Sequence, residues 1–309
     1  MTAARPVAPR SGVLAVEKGP GVTSFQVVAH VRRLLRVPKV GHGGTLDPDA
    51  TGLLPILVGE GTKLTPYFGA LDKEYVARVR LGLTSDTQDA SGKILTTLPV
   101  PPLDAAAVTA ALARFVGEID QTPPMYSALH HEGRRLYELA RAGAEVERKP
   151  RRVTIHAITL EDLALPELTI RVQCGKGTYV RTLAADLGET LGTGAVLAHL
   201  VRSRVGPYRL EEAVSWATLR DARDGAALWS ALLPLDSALA ELPDLILDAP
   251  QTRAFLHGQA VPVPPALTGL ARVYGDDGAL LGIGAAQAGQ ARPERILHAD
   301  PPRTPVLPG

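Results

Sequence analysis

Gly41-His42-Gly43-Gly44-Thr45-Leu46-Asp47-Pro48-Asp49-Ala50-Thr51-Gly52-Leu53-Leu54-Pro55 is the stretch on which the reading of this chain turns. It sets four glycines, two prolines, two aspartates and one histidine between apolar runs. Ordinary connections span roughly 4–6 residues and accept almost any polar sequence. This one is longer, and its glycines imply backbone with positive φ or in close approach to another group. Pro48 pushes Asp47 toward extended backbone. Two readings follow from these residues: an Asp-Pro turn between two strands, or an acid held rigidly for chemistry.

Working outward, Val13–Val16 reads as a strand running into the tight loop Glu17-Lys18-Gly19-Pro20-Gly21. Thr23 with Gln26 three residues on is a capping box. The helix it opens carries Val27, Val31, Leu34 and Leu35 at helical spacing to about Arg36. Arg32, Arg33, Arg36 and Lys39 form a basic rim leading into the 41–55 stretch. Lys18 is open to two readings, a phosphate contact or a solvated surface lysine. Downstream, Leu53–Val58 predicts a buried strand and Glu60–Phe68 the start of a helix. Tyr75–Leu81 alternates with period two: Tyr75, Ala77, Val79 and Leu81 face one side, Val76, Arg78 and Arg80 the other. Residues 84–92 make a turn rich in side chains that bond to nearby backbone.

Asp104 is positioned to cap a helix bearing Val108, Leu112, Phe115 and Val116. The segment from Pro123 to Arg135 mixes aromatic, histidine and arginine side chains without strong periodicity, as an arm closing on a nucleic-acid backbone would. It is followed by a short helix to about Ala142 and a second basic cluster at Arg148, Lys149, Arg151 and Arg152. His130-His131 lacks a third ligand at metal-site spacing, so no metal is expected. Val153–Leu160 and Leu168–Cys174 read as strands. Gly175-Lys176-Gly177-Thr178 leads into a helix with a Val180, Leu183, Leu187, Leu191 stripe and Arg181 in its first turn. The helix dipole opposes a cation there, so Arg181 requires a carboxylate or phosphate partner. The full P-loop pattern is absent. Leu197–Leu210 is extended and basic, the residues after Trp216 are acidic and helical to about Leu242, and from Asp244 short strands with Gly- and Pro-rich turns suggest a small β-barrel-like domain.

The 309 residues accommodate a large domain and a smaller one, with a composition (45% hydrophobic, 21% charged) ordinary for a globular protein. The single cysteine, Cys174, excludes an internal disulfide. With no secretory pattern at the N-terminus and no apolar run of ~18 residues, a cytoplasmic setting without membrane contact is expected. The net charge of +1 hides an uneven distribution. Met1–Arg80 carries 11 Lys/Arg against 6 Asp/Glu, Arg171–Leu210 carries 6 against 2, and Leu210–Ala260 carries 3 against 8. A basic front joined to an acidic connector suits a protein with one face toward a polyanion.

Gly41-His42-Gly43-Gly44-Thr45-Leu46-Asp47-Pro48 with Ala50-Thr51-Gly52 resembles the catalytic motif of the TruB family of bacterial tRNA uridine-55 pseudouridine synthases. The resemblance extends in order through Lys18-Gly19-Pro20-Gly21, Lys73-Glu74-Tyr75, Pro124-Met125-Tyr126-Ser127-Ala128 and Gly175-Lys176-Gly177-Thr178-Tyr179-Val180-Arg181. Two positions depart from the family's commonest pattern: Gly19-Pro20-Gly21 replaces Pro-x-Gly, and Gly43 stands where many relatives have threonine. The resemblance implies an α+β fold: a large mixed, mainly antiparallel sheet flanked by helices over residues 1–241, with a thumb-like insertion at about 124–152. Residues 242–309 would form a small RNA-binding, PUA-like β-barrel domain. It implies Asp47 as nucleophile, Arg181 orienting it, and Tyr75 stacking on a flipped uracil and taking the C5 proton. His42 would displace the base, Lys18 would contact substrate, and Tyr179 and Leu200 would line the pocket. It further implies the tRNA T-arm as partner, a monomer, an added tRNA-folding role, and no cofactor. Two rivals remain at this level. One is a non-catalytic RNA-binding protein; the other is a glycoside or nucleoside hydrolase pairing Asp47 with Asp49.

Overall fold

The computed structural model describes residues 11–126, 130–131, 134–135, 139 and 146–298. In chain order it begins with β1 (Gly12–Lys18), α1 (Ser24–Leu35), β2 (Val40–His42), β3 (Thr51–Val58), a 3-10 turn (Gly59–Leu64), α2 (Thr65–Ala70) and β4 (Lys73–Leu81). Next come β5 (Leu83–Ser85), β6 (Ile94–Thr97), α3 (Ala105–Ala113), β7 (Gly117–Gln121), and the two-residue strands β8 (His130–His131) and β9 (Arg134–Arg135). Then follow β10 (Arg151–Ala164), β11 (Glu167–Cys174), α4 (Val180–Thr190), β12 (Ala195–Val205), β13 (Tyr208–Arg209), α5 (Trp216–Asp221) and α6 (Ala226–Ser230). The C-terminal elements are β14 (Asp244–Leu247), α7 (Ala249–Leu256), β15 (Val261–Pro262), β16 (Gly269–Gly275), β17 (Leu280–Gln287) and β18 (Gln290–Ile296).

Two compact units share these elements. Of the described residues, one comprises those within 11–47, 54–69 and 207–298, the other those within 48–53 and 70–206. The second unit is built on antiparallel strands in the order β12-β4-β11-β10-β7, with the first residues of β3 pairing in parallel to β12. The alternation of β4 decides its orientation: Tyr75, Ala77, Val79 and Leu81 are buried. On the other face, Glu74 accepts from Arg171 Nη1 at 2.8 Å, Gln173 Nε2 at 3.1 Å and Ser203 Oγ at 2.7 Å, a polar tie across three strands. Helix α4 lays its Val180, Leu183, Ala184 and Leu187 stripe onto β12 and β4.

In the first unit, β3 pairs with β1 and, antiparallel, with β2. Helix α1 is opened by the Thr23–Gln26 capping box and closed by Arg36 in the left-handed conformation. Asp104 caps α3 in the other unit as its position in the sequence predicts. The C-terminal residues form a five-stranded, half-barrel sheet, β14-β16-β17-β18-β15, packed around Leu247, Phe255, Ala271 and Val273. Its last strand is tied to the 3-10 turn after β3. Lys63 Nζ donates to Ile296 O at 2.9 Å, Glu60 Oε2 accepts from His298 N at 3.0 Å, and Lys63 and Glu60 pair with each other. Tyr274 Oη adds a bond to Asp236 Oδ2 at 2.6 Å.

The α+β class is therefore as the sequence suggests. The acidic stretch after Trp216 is helical as expected, in three short pieces: α5, α6 and a 3-10 turn at Leu235–Leu239. Asp224-Gly225 and Pro234 interrupt it, for the reasons that exclude Gly and Pro from helix interiors. The expected short helix ending near Ala142 lies largely outside the described residues. Among the described residues no helix is long and apolar enough to cross a membrane.

Candidate active site

In the first unit the stretch leading to Asp47 is pinned at several points. Gly43 N donates to Pro55 O at 2.8 Å, and a Cβ on Gly43 would stand 2.7 Å from Phe68 Cδ1. Phe68 in turn stacks on Tyr208. The His42 ring folds back onto its own loop, with Nδ1 accepting from Gly44 N at 3.3 Å. Ser24, at the start of α1 and 3% exposed, accepts from Leu46 N at 3.0 Å and donates to Leu46 O at 3.2 Å. The residue before Asp47 thus has both backbone groups held by one hydroxyl. Asp47 itself is exposed, between buried Leu46 and buried Ala50.

Lys18 belongs to the same unit, and of its two readings the solvated surface lysine is excluded by its burial. It is wholly buried, and its ammonium donates to Gly19 O at 3.0 Å and Val22 O at 2.7 Å. A buried cation must be hydrogen-bonded, and this one orders the turn that delivers Thr23 to its capping position.

The second unit carries Tyr75, Tyr179, Arg181 and Leu200. Tyr75 is on the buried face of β4, opposite Val172 of β11 and Arg202 of β12. Leu200, half-buried on β12, accepts at its carbonyl from Thr51 Oγ1 at 3.5 Å. Two residues on, buried Arg202 donates from Nε to Leu53 O at 2.7 Å. Gly52, at φ +99°, lies so close to Arg202 that a Cβ would sit 2.4 Å from its carbonyl oxygen. The chain leaving the loop is fixed there. Lys73, two residues before Tyr75, is buried, and burial together with the Arg202 charge brings its pKa down to about 8.

Arg181 is the second residue of α4 and 6% exposed. Its Nη2 donates to Tyr126 O at 2.7 Å, its Nη1 to Thr87 O at 3.2 Å, and Nη1 lies 3.8 Å from Asp89 Oδ2. In the sequence Asp89 is one of several polar residues of the 84–92 turn. Its Oδ1 accepts from Thr87 Oγ1, Ser91 N and Ser91 Oγ, which aims the carboxylate and leaves Oδ2 toward the guanidinium. The pattern Asp86-Thr87-Gln88-Asp89-Ala90-Ser91 was the available signal. Tyr179, half-buried at the N-cap of α4, is held by Gln121, another residue that sequence reading passed over.

Residues 32–180 match the family described as TruB family pseudouridylate synthase (N terminal domain). Residues 181–240 match the tRNA pseudouridylate synthase B C-terminal domain, and residues 243–297 the pseudouridine synthase II TruB C-terminal domain. The chain is 49% identical over 296 residues to tRNA pseudouridine synthase B of Cupriavidus metallidurans, covering 93% of this chain and 94% of that one. It is 44% identical over 293 residues to the protein of that name from Chromohalobacter salexigens, covering 94% and 95%. Among solved structures, the Cbf5-Nop10-Gar1 complex matches with TM-score 0.70 and 26% identity over 94% of this chain and 84% of that one. The archaeal box H/ACA sRNP Nop10-Cbf5 complex matches with TM-score 0.71 and 25% identity over 95% and 88%. Fold and sequence together define a pseudouridine synthase, hence an isomerase. The chain belongs to the TruB family.

Proposed function

We propose that this enzyme isomerises uridine 55 in the T-loop of tRNA to pseudouridine, with Asp47 as nucleophile. The observation that carries this is family membership along nearly the whole chain, with the Asp47 loop inside the matched segment. The C1′–N1 bond breaks, the uracil turns, C5 joins C1′, and the proton lost from C5 is matched by one gained at N1. An unperturbed aspartate is ionised at neutral pH and suited to nucleophilic work. The target base must leave its stack. Tyr75 receives it and takes the C5 proton, His42 fills the place it left, and Tyr179 and Leu200 border it. Arg181, a planar bidentate donor, orients the acid. The net change is an isomerisation, which calls for neither an oxidant nor an exogenous group, so no cofactor enters the scheme. The T-arm of tRNA is the partner, the enzyme acts as a cytoplasmic monomer, and the same binding assists tRNA folding. Pseudouridine formation on unmodified tRNA, followed by tritium release from C5, tests the assignment. Asp47→Asn should abolish release while tRNA binding persists; near-normal turnover by that variant refutes it.

A further inference from the structure

Gln121 ends β7 and is 2% exposed. Its side-chain amide makes two hydrogen bonds with a single residue: Oε1 accepts from Tyr179 N at 2.8 Å, and Nε2 donates to Tyr179 O at 3.0 Å. Tyr179 is the N-cap of α4, and its own side chain makes no capping bond. The first N–H groups of a helix have no acceptor within the helix, and at Tyr179 that acceptor comes from a strand 58 residues earlier. The Tyr179 carbonyl meanwhile accepts from Leu183 N at 3.1 Å, so the same peptide begins the helical ladder and is gripped from outside.

We propose that Gln121 is a positioning residue for the isomerisation: it fixes the origin of α4 and thereby the directions of Tyr179 and Arg181. The proposal rests on the reading of those two as site residues. Each residue advances a helix by about 100°, so a slip at its start would swing Arg181 away from Thr87 O, Tyr126 O and Asp89. The helix dipole already disfavours a cation at that end, which makes an external clamp the more necessary.

The test compares turnover on unmodified tRNA and thermal unfolding for Gln121→Met, Gln121→Glu, Arg181→Lys and the Gln121→Met/Arg181→Lys double variant. Gln121→Met keeps the length and removes both bonds. Its kcat should fall on the order of 10- to 100-fold, as misplaced groups do, with KM near the wild-type value. Added to Arg181→Lys, it should cost much less than it does alone, because residues acting through one group are not additive. Gln121→Glu retains the acceptor but regains the donor only when protonated, so its activity relative to wild type should climb as pH is lowered. Wild-type kcat in folded Gln121→Met, or full additivity with Arg181→Lys, overturns the proposal. If Gln121→Met does not fold, a pH-independent ratio for Gln121→Glu overturns it. Wild-type turnover by Arg181→Lys would instead refute the site assignment, leaving the Gln121→Met kcat to judge the clamp.

Discussion

Arg181 and Asp89 approach to 3.8 Å inside one structural unit, and Asp89 is itself locked by hydrogen bonds from Thr87 and Ser91. The cation at the start of α4 therefore has a carboxylate neighbour from the 85–92 turn. Asp89→Asn keeps the shape and removes the charge. It should lower kcat by about tenfold or more, since charge pairs in sites shielded from water carry several times their solvent-exposed worth. Single-turnover kinetics on tRNA would check this, and unchanged kcat would show that Asp89 only shapes its turn.

Gly52 predicts a backbone effect. A side chain there meets a positive φ and the Arg202 carbonyl together. Gly52→Ala should destabilise the protein by roughly 3 kcal/mol, combining strain with overpacking. A lowered urea midpoint would show it, and activity should fall with it because Gly52 lies at the start of β3, immediately after the Asp47 loop.

A second glycine behaves differently. Gly43 has no positive φ, and its restriction is the ring of Phe68. Gly43→Ala should cost about 1–3 kcal/mol by overpacking. Phe68→Leu in the same chain should recover part of that loss, giving a coupling of about 1 kcal/mol in a double-mutant cycle. Simple addition of the two effects would mean the backbone shifts instead.

Asp186 on α4 offers a pH test. Burial first, then the Glu189 charge, raises its pKa from 3.8 to about 6. The folded state thus holds this proton more tightly than the unfolded state between those values, and stability falls as pH rises across the window. Asp186→Asn imitates the protonated form. Its melting temperature should match wild type near pH 4 and exceed it above pH 6. An advantage constant with pH would exclude titration as its source.

Features set by neighbours along the chain were legible in the sequence: the Thr23–Gln26 box, the two-residue period of β4, the apolar stripe of α4. Their physics is local, so periodicity and capping chemistry reveal them. Lys18 was not, because nothing in Lys18-Gly19-Pro20-Gly21 says whether the ammonium faces solvent or its own loop's carbonyls. Asp89 and Gln121 escaped for another reason. Their partners Arg181 and Tyr179 are far along the chain, and only the pairing of β7, β10, β11, β4 and β12 brings them within reach.

The bonds of Lys63 and Glu60 to Ile296 and His298 have a bearing on experiments that shorten the protein. The C-terminal sheet is an obvious part to delete when apportioning RNA affinity. Cutting at about Glu241 would also strip acceptor and donor partners from the turn that follows β3, the strand into which the Asp47 loop runs. Lost turnover in such a truncation would then report damage near the Asp47 loop as well as any loss of RNA affinity. Charge-reversed or alanine variants on the outer face of the sheet, which leave those two ties in place, are the cleaner dissection.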